Sequence, residues 1–290
     1  MNVRRFDDVA ECARVVEPFL LANEAAHCLQ LGILSTLEQQ PNAWGGEPPY
    51  LAAVEHDGEV ALVVIRTPPH NVTLSLVGPD VSPDAALALV ARDLRAVYGD
   101  ALPGVVGPAP LSGAFAAAWT HLTGRASAVT MRERIYRLDA VIPVSGVSGA
   151  PRVATRADRD LLARWIAAFV AESGPEPTDA EAWADRALAS APALRGTYLW
   201  ERDGEPVSLV GYSGPTPHGM RIGPVYTPPE HRGHGYASAC TAAVSQMLLD
   251  GGRSFCFLFT DLANPTSNKI YQAIGYRPVI DVDMSTFADA

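Results

Sequence analysis

Between positions 225 and 237 the chain reads Val225-Tyr226-Thr227-Pro228-Pro229-Glu230-His231-Arg232-Gly233-His234-Gly235-Tyr236-Ala237. A strand-like run, Met220 to Tyr226, enters this stretch, and an alanine-rich helical pattern from about Tyr236 to Leu249 leaves it. A helix start carries unpaired backbone N–H groups and the positive end of the helix dipole. Glycines let an anion approach that backbone closely, so Gly233 and Gly235 with Arg232 beside them suit a phosphate or pyrophosphate. The spacing is not the dinucleotide pattern Gly-x-Gly-x-x-Gly, and no Gly-Lys-Ser/Thr follows as in a P-loop. Just upstream, Gly223-Pro224 marks a bulge or an unpaired edge, because proline cannot donate to a ladder and glycine tolerates unusual dihedrals.

A second cluster follows the apolar run Phe255 to Phe259. Asn264-Pro265 opens a helix over about Thr266 to Ile274, and Gly275 closes it. On that helix sits Tyr271. A phenol of ordinary pKa, about 10, is protonated at neutral pH and can donate to a leaving anion.

Together, Arg232-x-x-Gly235-x-Ala237 and Asn264-Pro265…Tyr271…Gly275-Tyr276 resemble the signatures of the GNAT family of N-acetyltransferases. The resemblance covers roughly Arg152 to Ile280 and is strongest from Met220 to Pro278. It implies that acetyl-CoA is the cosubstrate, with its pyrophosphate on the loop and its pantetheine arm in a slot between splayed strands. The cofactor-contacting run is then Val225, Tyr226, Thr227, Arg232, Gly233, His234, Gly235, Tyr236 and Ala237, with Asn264 and Asn268 beside the pantetheine. By the same resemblance Tyr271 lies beside the thioester sulfur, and transfer is by direct attack of an amine. Backbone N–H near Val225 stabilises the developing oxyanion. Glu172, Glu176, Glu201, His218 and Asp261 are the available bases, and the sequence does not choose among them.

The elements around these residues occur twice. Each half reads as two helices, a hairpin, a strand, a helix, a strand, a helix and a strand. Asp57-Gly58 and Asp203-Gly204 sit between apolar runs as hairpin turns; Tyr50-Leu51 matches Tyr198-Leu199, and Pro69-His70 matches Pro217-His218. The expected fold class is therefore α/β (α+β): two tandem GNAT-like domains with mixed, mostly antiparallel sheets flanked by helices. The expected bounds are 1–141 for a degenerate first domain, 142–151 for a linker and 152–290 for the catalytic domain. The first copy departs at the ligand loop, where Gly78-Pro79-Asp80-Val81-Ser82-Pro83-Asp84 offers carboxylates in place of Arg and Gly-x-Gly. Acid at a helix start satisfies the dipole internally and repels pyrophosphate.

The bulk numbers bound the rest. The chain has 290 residues, 48% hydrophobic and 19% charged, with net charge −10. That balance speaks against non-specific nucleic-acid binding, which needs clustered Lys and Arg. No apolar run approaches the ~20 residues of a membrane span, and the N-terminus lacks the apolar core of a signal peptide; a cytoplasmic protein is expected. Cys12, Cys28, Cys240 and Cys256 lack zinc spacing, so no metal is expected. The function expected is acetyl transfer from acetyl-CoA to a primary amine of a small molecule, with the oligomeric state open. The alternatives are a non-catalytic acyl-CoA-binding or regulatory protein and a tandem acetyltransferase similar to mycothiol synthase. A third, an aminoacyl transferase using charged tRNA, is disfavoured by the net charge and the intact loop.

Overall fold

The computed structural model describes residues 1–40, 47–173 and 179–288. Its elements run β1 (Asn2–Phe6), α1 (Val9–Leu21), α2 (Cys28–Gln39), β2 (Tyr50–His56), β3 (Glu59–Arg66), β4 (Val72–Leu74), α3 (Pro83–Tyr98), β5 (Gly104–Pro108), α4 (Ala109–Thr123) and β6 (Ser127–Leu138). The second series is β7 (Ala150–Val153), α5 (Arg159–Ser173), α6 (Ala180–Ala189), β8 (Arg195–Arg202), β9 (Glu205–Ser213), β10 (Gly219–Tyr226), α7 (Tyr236–Asp250), β11 (Phe255–Asp261), α8 (Pro265–Ala273) and β12 (Arg277–Phe287). Both series have the order strand, two helices, three strands, helix, strand, helix, strand. The duplication expected from sequence is thus present, with one strand more at the head of each copy. Short β1 and β7 carry no turn signal of their own, and each is recruited as an antiparallel partner of the strand that follows its helices.

Local chemistry explains most boundaries. Both hairpin turns use positive φ at two successive residues, 52° at Asp57 with 88° at Gly58, and 53° at Asp203 with 84° at Gly204. That is the backbone of the tight turn whose twist matches paired strands. Asp8, Ser82, Asp179 and Asn264 cap α1, α3, α6 and α8 through side-chain oxygens that accept from backbone N–H. Such caps contribute about 1 kcal/mol each.

By its contacts the chain divides into two compact units. The first comprises residues 1–135, 261–263 and 279–290; the second comprises 136–260 and 264–278. The division does not follow a single cut near residue 141. From Val279 onward β12 belongs with the first unit, because Val282 to Thr286 pair antiparallel with Pro108 to Gly104 of β5. The segment 142–151, read from its Gly, Ser, Val and Pro content as a linker, lies on the second unit, and its last two residues open β7. Ile142 N–H donates to the Ile274 carbonyl at 2.9 Å, Trp200 Nε1 donates to the Ser148 carbonyl at 2.9 Å, and Val141, Val144 and Val147 pack on that unit's core.

Within the first unit the strand order is β1-β2-β3-β4-β5-β12. Leu51, Ala53, Val63 and Ile65 face α1 and α2, while Tyr50, Ala52, Val54, Leu62 and Val64 face α3 and α4. Burial on both faces explains why β2 and β3 read as continuous apolar runs rather than alternating ones. Within the second unit the order is β11-β10-β9-β8-β7. Leu199 and Leu209 meet Leu162, Ala163 and Ile166 of α5 and Ala184 of α6 on one face. Trp200, Val210, Tyr212, Met220 and Ile222 meet Tyr236, Ala239 and Val244 of α7 on the other, with Tyr271 and Ile274 nearby.

Candidate active site

The site lies in the second unit, where two parallel strands part. β10 and β11 pair in parallel at Gly219–Phe255, Met220–Cys256 and Arg221–Phe257. Among the described residues no pairing between them continues beyond Arg221, although both strands run on for several residues. β10 also changes register against β9 between Ile222 and Val225. Gly223, at φ 144°, and Pro224 occupy this irregularity, as their residue types led us to expect. The outcome is a fork between β10 and β11 with Val225 just past the bulge.

The loop that follows ends at α7. Gly233 and Gly235 have φ of 80° and 82°, a left-handed conformation that costs an L-residue roughly 1–2 kcal/mol. A Cβ on Gly235 would also stand 3.0 Å from Val147 Cγ2. Gly235 is the N-cap of α7, no side chain caps it, and the first turn holds no acid. The equivalent helix in the first copy, α3, is closed from within: Ser82 accepts from Ala85 N–H at 3.5 Å, and Asp84 sits in the first turn. The same structural position is thus self-satisfied in one copy and left open to an anion in the other. These features fit the pyrophosphate of a coenzyme A group: an open helix start and a glycine backbone.

The predicted site residues fall into distinct positions. Val225 is half-buried against the core of the unit, and Tyr226 is buried, its hydroxyl donating to Glu172 Oε1 at 3.2 Å. The Tyr226 carbonyl accepts from Ser208 Oγ at 3.1 Å, and that hydroxyl also meets Thr227 Oγ1 at 2.8 Å. Arg232 reaches back across the loop. Its Nε donates to the Thr227 carbonyl at 2.9 Å, and its Nη2 pairs with Glu172 Oε2 at 2.6 Å. The guanidinium therefore braces the loop against the end of α5. His234 is exposed and stacks on Tyr236, centroids 5.4 Å apart. Tyr236 itself is buried, with its hydroxyl accepting from Arg202 Nη1 at 2.7 Å, so its side chain serves the core while its N–H belongs to the helix start. Ala237 occupies the first turn of α7.

Asn264 is the N-cap of α8: its Oδ1 accepts from Ser267 N–H at 3.0 Å. Asn268 Nδ2 donates to the Asn264 carbonyl at 2.8 Å, and its Oδ1 accepts from Tyr136 Oη at 3.1 Å. Gln272 Nε2 completes this chain by donating to Tyr136 Oη at 2.8 Å. Tyr271 is 8% exposed, within the cluster that includes Ile222 and Leu258 and has Val225 at its rim. Its ring meets Tyr276 edge-on at 5.9 Å. Burial pushes its hydroxyl up to about 12, so the phenol is protonated throughout the physiological range.

The base candidates are mostly engaged. Glu172 is held by Arg232 and Tyr226, Glu201 pairs with Arg152, and Asp261 Oδ1 accepts from Ala263 N–H at 2.8 Å. His218 lends its carbonyl to Ser254 N–H at 2.9 Å. Glu176 lies outside the described residues. Sequence reasoning missed the Glu172–Arg232 brace and the approach of Val147 to Gly235. Glu172 lies 60 positions from Arg232, and Val147 fell in a stretch whose composition marks only irregular chain.

Forked parallel strands beside an open, glycine-built helix start offer an extended slot that ends at an anion-binding backbone. Residues 159–276 match the family model described as Acetyltransferase (GNAT) family, and the second unit carries that family's domain. Among curated proteins none matches the sequence. Solved structures agree in fold. A GCN5-related N-acetyltransferase from Sphaerobacter thermophilus superposes at TM-score 0.61 with 16% identity, over 98% of this chain and 95% of that one. A GCN5-related N-acetyltransferase from Kribbella flavida gives 0.57 with 17% identity, over 80% and 89%. A tandem GNAT protein from the clavulanic acid biosynthesis pathway gives 0.55 with 13% identity, over 99% and 98%. The second unit thus carries a domain of an acetyltransferase family, and the chain is a two-copy α/β protein by fold.

Proposed function

We propose that the protein is an acetyl-CoA-dependent N-acetyltransferase that moves an acetyl group to a primary amine of a small molecule. The observation that carries this reading is the contrast between the two copies: α7 starts on uncapped glycine beside a strand fork, whereas α3 is capped by its own Ser82 and carries Asp84 in its first turn. Bound acetyl-CoA supplies an activated thioester. The N–H groups at the start of α7, from Gly233 to Ala237, hold the pyrophosphate, and Arg232 keeps that loop in place through Glu172. β10 beyond Gly223-Pro224 lines the pantetheine arm, and backbone N–H near Val225 donates to the thioester oxygen as charge develops there. Asn264 and Asn268 anchor the facing end of α8. Tyr271 keeps a proton at its hydroxyl in an apolar setting and offers it to the departing sulfur.

The acceptor amine is a small molecule in this reading. A net charge of −10 disfavours nucleic acid, and no described helix is long and apolar enough to cross a membrane. All four cysteines are buried and none forms a disulfide, which suits a reducing compartment such as the cytoplasm. The test has two parts. Calorimetry should show CoA binding, and a panel of primary amines should include acceptors that release CoA from acetyl-CoA. Binding without turnover on any amine would favour the non-catalytic alternative, and no binding at all would remove the proposal.

A further inference from the structure

The first unit holds an open pocket of about 450 Å³, a volume within the range of small-molecule sites. Arg66 at the end of β3, Pro69 ahead of β4, Leu102 and Pro103 ahead of β5, and Phe287 at the end of β12 line it. Arg125, between α4 and β6, and the exposed Ala101 complete the lining. Every one of these residues belongs to the first unit. β4 and β5 are parallel and begin at the pocket, whereas α3 starts beyond the other end of β4. The pocket is therefore not the counterpart of the cofactor loop in the second copy.

Its lining is cationic and apolar, and among the described residues no acid contributes to it. Arg66 is 7% exposed. Its Nε donates to the His70 carbonyl at 3.0 Å, and its guanidinium carbon stands 4.1 Å from the centroid of the Tyr98 ring. Neither Nη nitrogen has a hydrogen-bond partner among the described residues, and neither is sealed from solvent. In a side chain so buried, the opening these nitrogens keep is the pocket that Arg66 lines. The carboxylates beside these groups are engaged. Asp93 accepts from Tyr50 Oη at 2.7 Å and lies 3.6 Å from Arg5, and Asp100 pairs with Arg95 at 2.9 Å. Arg125 is spent on the wall: it donates to the carbonyls of Asp100, Leu102, Phe287 and Ala288, tying the loop before β5 to the end of β12. A buried guanidinium without a carboxylate is costly unless an anion arrives to meet it. Fixed at Nε and on one face, it presents its two Nη groups as a fork for a planar acid.

We infer that this pocket binds a small organic carboxylate, its carboxylate on the Nη fork of Arg66 and an apolar body against Leu102, Pro103 and Phe287. The first copy, closed at α3, is then a ligand-binding unit in its own right. A carboxylate is favoured over a phosphate because one guanidinium is open to meet the charge, and apart from the two arginines every lining side chain is apolar. A phosphate dianion would leave most of its acceptor sites unmet in such a lining. The inference is independent of acetyl transfer and holds whether or not the second unit turns over an amine.

The experiment titrates the full chain with benzoate and hexanoate against benzyl alcohol and hexanol, with phenyl phosphate as a further arm, by calorimetry and ligand-observed NMR. A carboxylate should bind once per chain, and its alcohol at least about tenfold more weakly, the scale of a charge-assisted hydrogen bond. Saturating CoA should not displace it. Arg66→Gln should weaken the carboxylate by a similar factor, and Arg66→Lys, which keeps the charge and loses the fork, by less. Ala101 is exposed, so Ala101→Trp should block the mouth, abolish binding and leave the circular dichroism of the protein unchanged. That variant decides the matter should Arg66→Gln not fold. Displacement by CoA would move the carboxylate to the second unit and overturn the inference. Equal binding of the alcohols, a preference for phenyl phosphate, or wild-type affinity in Ala101→Trp or in folded Arg66→Gln would each overturn it too. So would failure of both carboxylates to bind at millimolar concentration.

Discussion

Replacing Tyr271 by Phe removes one hydroxyl from a ring that is 8% exposed. That hydroxyl makes no hydrogen bond to the protein among the described residues, so no partner is stranded by its loss. Stability should change by less than about 1 kcal/mol, since only unpaired buried partners carry a larger penalty. The kinetic effect follows from acidity. Burial holds the phenol near 12, while an alkyl thiol sits near 8.5. Full proton transfer to the departing thiolate is then uphill by roughly 3.5 units, or about 5 kcal/mol. Tyr271 therefore acts by donating a hydrogen bond to the sulfur as charge builds, not by surrendering its proton early. Such a bond to a charged acceptor contributes about 1.5–3 kcal/mol, which corresponds to a loss of roughly 10- to 150-fold in the chemical step of Tyr271→Phe. Single-turnover kinetics with a competent amine would measure it, with CoA affinity checked by calorimetry. The pH profile adds a second readout. With the group near 12, Tyr271 contributes no alkaline limb below about pH 10. An unchanged rate constant for chemistry would remove Tyr271 from the mechanism, and an alkaline limb near pH 8–9 that disappears in Tyr271→Phe would refute the burial argument.

Other outcomes follow from the same geometry. Gly235→Val places a branched side chain at φ 82° and 3.0 Å from Val147 Cγ2, so it should cost about 1–3 kcal/mol of stability and weaken CoA binding at least tenfold; a folded variant with wild-type affinity in calorimetry would exclude the α7 start as the pyrophosphate site. One CoA should bind per chain, because in the first copy Ser82 and Asp84 close the helix start and Leu76 N–H is taken by His27 Nε2 at 3.1 Å; a titration with two equivalent sites would contradict this. His27 is buried and neutral, with Nδ1–H to the Leu20 carbonyl at 2.8 Å and its pKa lowered chiefly by desolvation. A lowered folded-state pKa means stability is complete above about 6.5 and is lost as pH falls below it, by at most about 1.4 kcal/mol per pH unit. Urea unfolding between pH 7.5 and 5 should show that slope in wild type and a smaller one in His27→Gln; equal slopes would assign the acid sensitivity elsewhere.

Much of the fold could be read locally because its signals are local. Asp57-Gly58 and Asp203-Gly204 specify their turns through backbone conformations that few residue pairs adopt. Ser82-Pro83 and Asn264-Pro265 start helices because a side-chain oxygen meets an N–H three residues on. Gly223-Pro224 announced the bulge, and Arg232, Gly233 and Gly235 announced the loop, through what those residues cannot do in a regular ladder or helix. The repeated element order then made two copies visible without any contact being known.

Tertiary structure alone decided the features that depend on pairing across distance. Nothing within Val282 to Thr286 says that these residues align with Gly104 to Pro108; an edge strand takes whichever partner the fold presents. Arg232 reads as a phosphate ligand until the fold brings Glu172 within 2.6 Å and makes the side chain a brace. The run 142–149 reads as a spacer until Val144 and Val147 find an apolar face. Arg66, Leu102, Arg125 and Phe287 become one pocket only through the fold of the first unit. Burial, which sets the acidity of Tyr271 and the neutrality of His27, is a property of everything packed around a residue, so sequence determined the parts and the loop chemistry, and packing determined their charges and partners.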